Sequence, residues 1–121
     1  MGAPILYTLA TCDTCRRATK WLYAHGIAFA ERAIRQTPPS PAELRAMLAA
    51  HDGKLCKLFN TAGRDYREQE LADKLPALSE AAALALLAGN GNLVKRPFFI
   101  GADVALIGFD ETAWRAALLR R

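Results

Sequence analysis

The 121-residue chain is poor in cysteine and histidine and has no long apolar run. Its three cysteines cannot all pair within one chain, which argues against a secreted disulfide framework. Beyond Cys12 and Cys15, a metal would find only Cys56, His25 and His51, without the paired spacing of a zinc finger, so no metal site is expected. The longest apolar-rich stretch, EAAALALLAG, falls far short of the ~20 residues that cross a bilayer. The opening MGAPILYTLATCD lacks the basic start of a secretory leader. These absences point to no membrane association and to the reducing cytoplasm. A net charge of +4 leaves nucleic acid open, but the cations are scattered, with no dense basic run and no aromatic-basic stripe on which bases would stack. A solvated surface is the better reading, and direct nucleic-acid binding is not expected. With 52% apolar and 23% charged residues the composition is that of a globular protein, and the length fits one domain over 1–121.

What is present has an order. PILYTLA reads as a buried strand over Ile5 to Leu9, followed by a helix that Thr11 or Asp13 can cap and Gly26 ends. Cys15, Ala18, Trp21 and Leu22 share one face of that helix. IAFAERAI, from Ile27, alternates as a second strand and completes a βαβ unit. A helical insert then spans about 37–95. Ser40, Pro41 and Glu43 form a capping box for a helix to about His51. KLCKLF continues as a short helix or turn, and TAGRDYREQELADKL as a polar loop leading into a helical turn or two. Ser79 caps EAAALALLAG. Phe98 to Ile100 and Val104 to Ile107 flank Gly101-Ala102-Asp103 as an antiparallel hairpin. Asp110 caps a last helix with Trp114, Ala117 and Leu118 inward and cations in its final turn. The order is β-α-β, helical insert, β-β-α.

The chemistry concentrates in ATCDTC. Cys12 and Cys15 allow three readings: a redox pair, half of a metal site, or two inert core thiols. Position favours the redox pair, because a C-x-x-C that ends a first strand and opens a helix has the thioredoxin-like placement. A thiol at a helix N-terminus meets unpaired backbone N–H groups and the positive end of the dipole, both of which favour thiolate. Arg16 and Arg17 add positive charge nearby. The spacing of three puts Cys15 one turn below Cys12 on the same face. Cys12 is therefore the candidate nucleophile and Cys15 the resolving thiol. Cys56 reads as a half-buried apolar position beside Leu55 and Leu58, and His25 and His51 as exposed helix-end residues.

LYTLATCDTCRRATKWLYAHGI, KLFNTAGRDYRE and LVKRPFFIGADVALIGF, in that order, resemble the arsenate reductase-like (ArsC) family, most closely its Spx/MgsR branch. The resemblance implies a thioredoxin-like α/β fold, a mixed four-stranded sheet flanked by helices, with the helical insert. It also implies that Pro97 is the cis-proline beside the active site and that Arg96 holds an anionic substrate, or the carboxylates of glutathione, over Cys12. Thr11 and Arg64 are further candidates for substrate binding. Two arginines of the reductase pattern are missing, at positions matched by Asn60 and Gly108. The same resemblance suggests three activities: a thiol–disulfide protein linked to glutathione, glutaredoxin or thioredoxin; a redox-sensing regulator that binds RNA polymerase; or a true arsenate reductase. No bound cofactor is expected, only a thiol reductant as co-substrate, and the chain reads as a monomer.

Overall fold

The computed structural model describes residues 2–119. Four strands, β1 (Ile5–Thr8), β2 (Ala30–Ala33), β3 (Phe98–Gly101) and β4 (Val104–Ile107), form one sheet in the order β2-β1-β3-β4. β1 pairs with β2 in parallel, through the crossover helix α1 (Asp13–Ala24), and antiparallel with β3; β3 and β4 are also antiparallel. The sheet is mixed and flanked by helices, the thioredoxin-like arrangement expected from the sequence.

Alternation along β1 and β3 decides what packs where. Leu6 pairs with Phe99, and both join the cluster of Ala18, Trp21, Leu22 and Trp114 beneath α1 and α6 (Glu111–Leu118). Their neighbours Tyr7, Phe98 and Ile100 belong to the other cluster, which the insert covers. The insert comprises α2 (Pro41–Ala50), α3 (Arg64–Glu68), α4 (Leu71–Lys74) and α5 (Glu80–Gly89), with short 3₁₀ turns between them. The capping box at α2 is complete: Ser40 Oγ accepts from the Glu43 N–H, and Glu43 accepts from the Ser40 N–H.

Several boundaries differ from the expectation. β2 is shorter than IAFAERAI and all four of its residues are exposed, because it is an edge strand; Phe29 and Ile34, just outside it, carry the apolar contacts. The polar stretch after Thr61 is more ordered than expected. Tyr66 and Leu71 are buried and anchor α3 and α4, and Glu70, in the left-handed region at φ 54°, separates the two helices. The hairpin turns on Ala102 and Asp103 alone, with Gly101 inside β3. In α6 Trp114 is the anchor and Leu118 is half-buried, whereas Ala117 is exposed on the flank. The cations expected in the final turn, Arg120 and Arg121, lie outside the described residues. Among the described residues no helix is long and apolar enough to cross a membrane.

Candidate active site at the start of the first helix

The chain leaves β1 at Thr8 and turns, the Cys12 N–H donating to the Leu9 carbonyl at 2.9 Å. The N-cap of α1 is Cys12 itself, not Thr11 or Asp13: its backbone is extended, and its Sγ accepts the Cys15 N–H at 3.4 Å. A sulfur thus fills the role usually taken by a serine or aspartate oxygen. Asp13, in the first turn, is instead engaged by Arg16, which also donates to the Ala10 carbonyl at 2.9 Å.

The two thiols sit in opposite environments. Burial resists ionisation of Cys12, but the Cys15 N–H, the Cys15 thiol, the Thr14 N–H and the charge of Arg96 outweigh it, so Cys12 titrates below the ordinary cysteine value. Cys15, 2% exposed, is pushed up to about 12, chiefly by burial, with the Cys12 side chain and its charge adding to the rise. They also open in different directions. Cys12 lines a polar cavity of about 500 Å³ together with Thr14, Arg17, Asn60, Lys95, Arg96, Gly108, Phe109 and Asp110. Cys15 lines a separate, mainly apolar cavity with Leu9, Thr19, Tyr23 and Glu31.

Backbone pairing between distant segments assembles the Cys12 cavity. Phe59 and Val94 form an antiparallel bridge, the Asn60 N–H donates to the Leu93 carbonyl at 2.7 Å, and the Lys95 N–H donates to the Leu58 carbonyl at 2.8 Å. These bonds bring Asn60, Lys95 and Arg96 to the mouth of α1. The Arg96–Pro97 peptide is cis, and the Pro97 carbonyl accepts the Gly108 N–H at 2.9 Å. Trp114 Nε1 donates to the buried Gly108 carbonyl at 2.9 Å, which ties α6 to the same loop.

Of the residues singled out in the sequence, Cys12 and Arg96 share this cavity, whereas Cys15 lines the other one and Pro97, next to Arg96, lines neither. Thr11 is exposed and does not line it. Arg64 is also elsewhere. It is 75% exposed, faces Asp65 and Glu68, and lines an adjoining cavity with Arg35 and Asn92, into which Arg96 and Asn60 also reach. Asn60 and Gly108, the positions matched to absent arginines, do face Cys12, so the charge missing from the pattern is missing at the cavity itself. Arg17 supplies part of it and Arg16 does not. Lys95 carried no weight in the sequence reading, although it stands next to Arg96. Cys56 is exposed rather than half-buried and lines a different cavity, with Leu55 and Tyr66 in the insert. Among the described residues no three His, Cys, Asp or Glu side chains converge on a metal-sized site.

A four-stranded mixed sheet, a cysteine capping its first helix and a cis-proline just before β3 define a thioredoxin-like fold. Residues 7–117 match the ArsC family, and the chain belongs to it. It is 43% identical to YusI of Bacillus subtilis, over 87% of this chain and 89% of that protein. It is 32% identical to the global transcriptional regulator Spx of Enterococcus faecalis, over 95% and 86% of the two chains. The solved structure of an ArsC family related protein from Bacteroides fragilis superposes with a TM-score of 0.89 at 35% identity, covering 96% of this chain and 98% of the other.

Proposed function

We propose that this protein is a cytoplasmic thiol–disulfide redox protein in which Cys12 attacks and Cys15 resolves. The single observation that carries the reading is the asymmetry of the pair: Cys12 caps a helix with a thiol shifted towards ionisation, beside Arg96, while Cys15 holds its proton one turn below. The Cys12 thiolate attacks one sulfur of a disulfide R–S–S–R. The S–S bond breaks, a Cys12–S–S–R mixed disulfide forms, and the other half leaves as R–S⁻ with the bonding electron pair. Cys15 then gives up its proton and attacks the Cys12 sulfur; the Cys12–S–S–R bond breaks, R–S⁻ departs into the polar cavity and takes up a proton there, and an internal Cys12–Cys15 disulfide remains. A thiol reductant such as glutathione, or a glutaredoxin or thioredoxin, returns the pair to two thiols. Arg96 steers an anionic substrate, and no bound cofactor enters the cycle.

The test is a dithiol redox titration with alkylation and mass spectrometry. A Cys12–Cys15 bridge with a potential between about −200 and −300 mV is the expected result. Absence of any bridge at every potential, with Cys12→Ser leaving thiol reactivity unchanged, refutes the proposal. A Cys12 that is only glutathionylated points to one-thiol reductase chemistry instead.

A second reading is favoured by the Spx relatives, which align over 95% of this chain. In it the same disulfide is a switch on a regulator that binds RNA polymerase. Polymerase subunits captured only by the oxidised protein support that reading; none in either state removes it. Arsenate reduction is the weakest of the three, because Asn60 and Gly108 leave two of the three positions of the reductase pattern without a guanidinium, and Arg17 makes up only part of the loss.

A further inference from the structure

Among the described residues, the positive charge lining the Cys12 cavity comes from Arg17, Lys95 and Arg96, against a single carboxylate, Asp110. Lys95 is the member whose place is set by a missing side chain. A Cβ built on Gly108 would lie 2.9 Å from Lys95 Cε and 3.9 Å from Nζ, so the lysine stem fills the volume that any side chain at 108 would need. Gly108 has φ +67°, a conformation that favours glycine, and its N–H is held by the Pro97 carbonyl. The Lys95 backbone is held by Leu58 from the other side. Both partners in the exchange are therefore fixed by the fold.

The exchange changes the kind of charge presented. A guanidinium offers a planar fork of N–H donors that suits a tetrahedral oxyanion, and several forks are needed to surround one. An ammonium is a compact, strongly hydrated point charge that can pair with a single carboxylate at the cavity rim. Asn60 adds a neutral amide, and Asp110, exposed at the cavity, opposes a multiply charged oxyanion more strongly than a single carboxylate.

We propose that Lys95, seated over Gly108, makes the Cys12 cavity selective for carboxylate-bearing thiols and disulfides over tetrahedral oxyanions. The inference rests on the redox reading above. The step it acts on is the first exchange: the Cys12 thiolate displaces R–S⁻ from R–S–S–R, and Lys95 holds the carboxylate of the half that stays bound.

The test uses the full chain and two disulfides of similar length, 3,3′-dithiodipropionate (two carboxylates) and 2-hydroxyethyl disulfide (neutral). Rates at Cys12 are followed by mass spectrometry and expressed as the ratio between the probes. Lys95→Glu is expected to lower the ratio on the order of tenfold, and Lys95→Gln roughly threefold. Gly108→Ala should lower it too, with Lys95 still present, because the new Cβ, 2.9 Å from Cε, forces the lysine stem to shift; thermal unfolding of each variant checks that it is folded despite the strained φ at 108. A ratio that stays within about twofold of the parent in Lys95→Glu overturns the inference. So does arsenate or phosphate that protects Cys12 from alkylation better than propionate at equal concentration. If the neutral disulfide reacts at Cys12 and the ratio is unmoved, the inference alone fails; if neither probe reacts there, the redox reading fails with it.

Discussion

The Cys15 thiol holds down the pKa of Cys12 by donating to its sulfur, and this can be isolated by comparing Cys15→Ala with Cys15→Ser. Both substitutions remove the resolving thiol and keep the residue-15 N–H that caps onto Cys12. Only alanine removes the side-chain donor. A hydrogen bond to a charged acceptor contributes about 1.5 to 3 kcal/mol, and a weak S–H donor belongs at the lower end. That is close to a tenfold change in thiolate population. A more basic thiolate is also the better nucleophile, with a Brønsted slope of about 0.4 to 0.5, so its limiting rate rises roughly threefold. The net effect below both inflections is about a threefold slower reaction in the alanine variant. The assay is the pH profile of exchange with a neutral disulfide, run with Cys56→Ser throughout, since Cys56 is exposed and would react as well. Cys15→Ala should show a higher inflection and a faster plateau than Cys15→Ser. Superimposable profiles would mean that backbone N–H groups and Arg96 alone set the Cys12 pKa, and the argument from the second thiol would be wrong.

Two other predictions concern stability. Trp114→Phe removes the donor to the buried Gly108 carbonyl while keeping an aromatic ring against Phe99, so unfolding free energy in urea should fall by about 1 to 3 kcal/mol at an unchanged m-value; a loss under about 0.5 kcal/mol would show that water or backbone replaces the bond. Cys15 keeps its proton in the fold up to about 12, whereas an unfolded cysteine loses it near 9.0, so its contribution is complete below the lower value and is lost as pH rises towards the higher one. The stability difference between the parent and Cys15→Ala should therefore decline across that window, and a difference that is flat with pH would contradict the burial argument. Taking the difference cancels Tyr7, which also titrates high, near 12.

Much of the frame was legible because it is written in local patterns. Cys15, Ala18, Trp21 and Leu22 recur at helical spacing, and the Ser40-Pro41-Glu43 box and the Asp110 cap need only neighbouring residues. The site was half legible. C-x-x-C at a strand-to-helix junction announces itself, but cap preference points to the oxygens of Thr11 and Asp13, and nothing local says that a sulfur takes that place. Arg64 was singled out for its residue type, whereas position decides: the Phe59–Val94 bridge brings Asn60 and Lys95 to Cys12 and leaves Arg64 in the neighbouring cavity. Residues thirty-five apart meet through backbone bonds that no periodicity encodes. Lys95 is the clearest case, since its role depends on a glycine thirteen residues away.

The geometry of one helical turn gives the chemistry its direction. If both thiols faced the same cavity with similar pKa values, either could attack first, and the mixed disulfide could form at the wrong sulfur. Here the outer sulfur is the helix cap, shifted towards ionisation and facing Arg17, Lys95 and Arg96, while the inner one is shut away beneath it with its proton held. The polar cavity is lined by Cys12, and Cys15 lines a separate, mainly apolar one. On the proposed reading Cys15 acts after Cys12 has become half of a disulfide, when the Cys12 charge no longer adds to the effect of burial on Cys15. In the proposed cycle, the charge that Cys12 loses on forming the bond is one of the influences, after burial, that keep its partner protonated, so the first step eases the second.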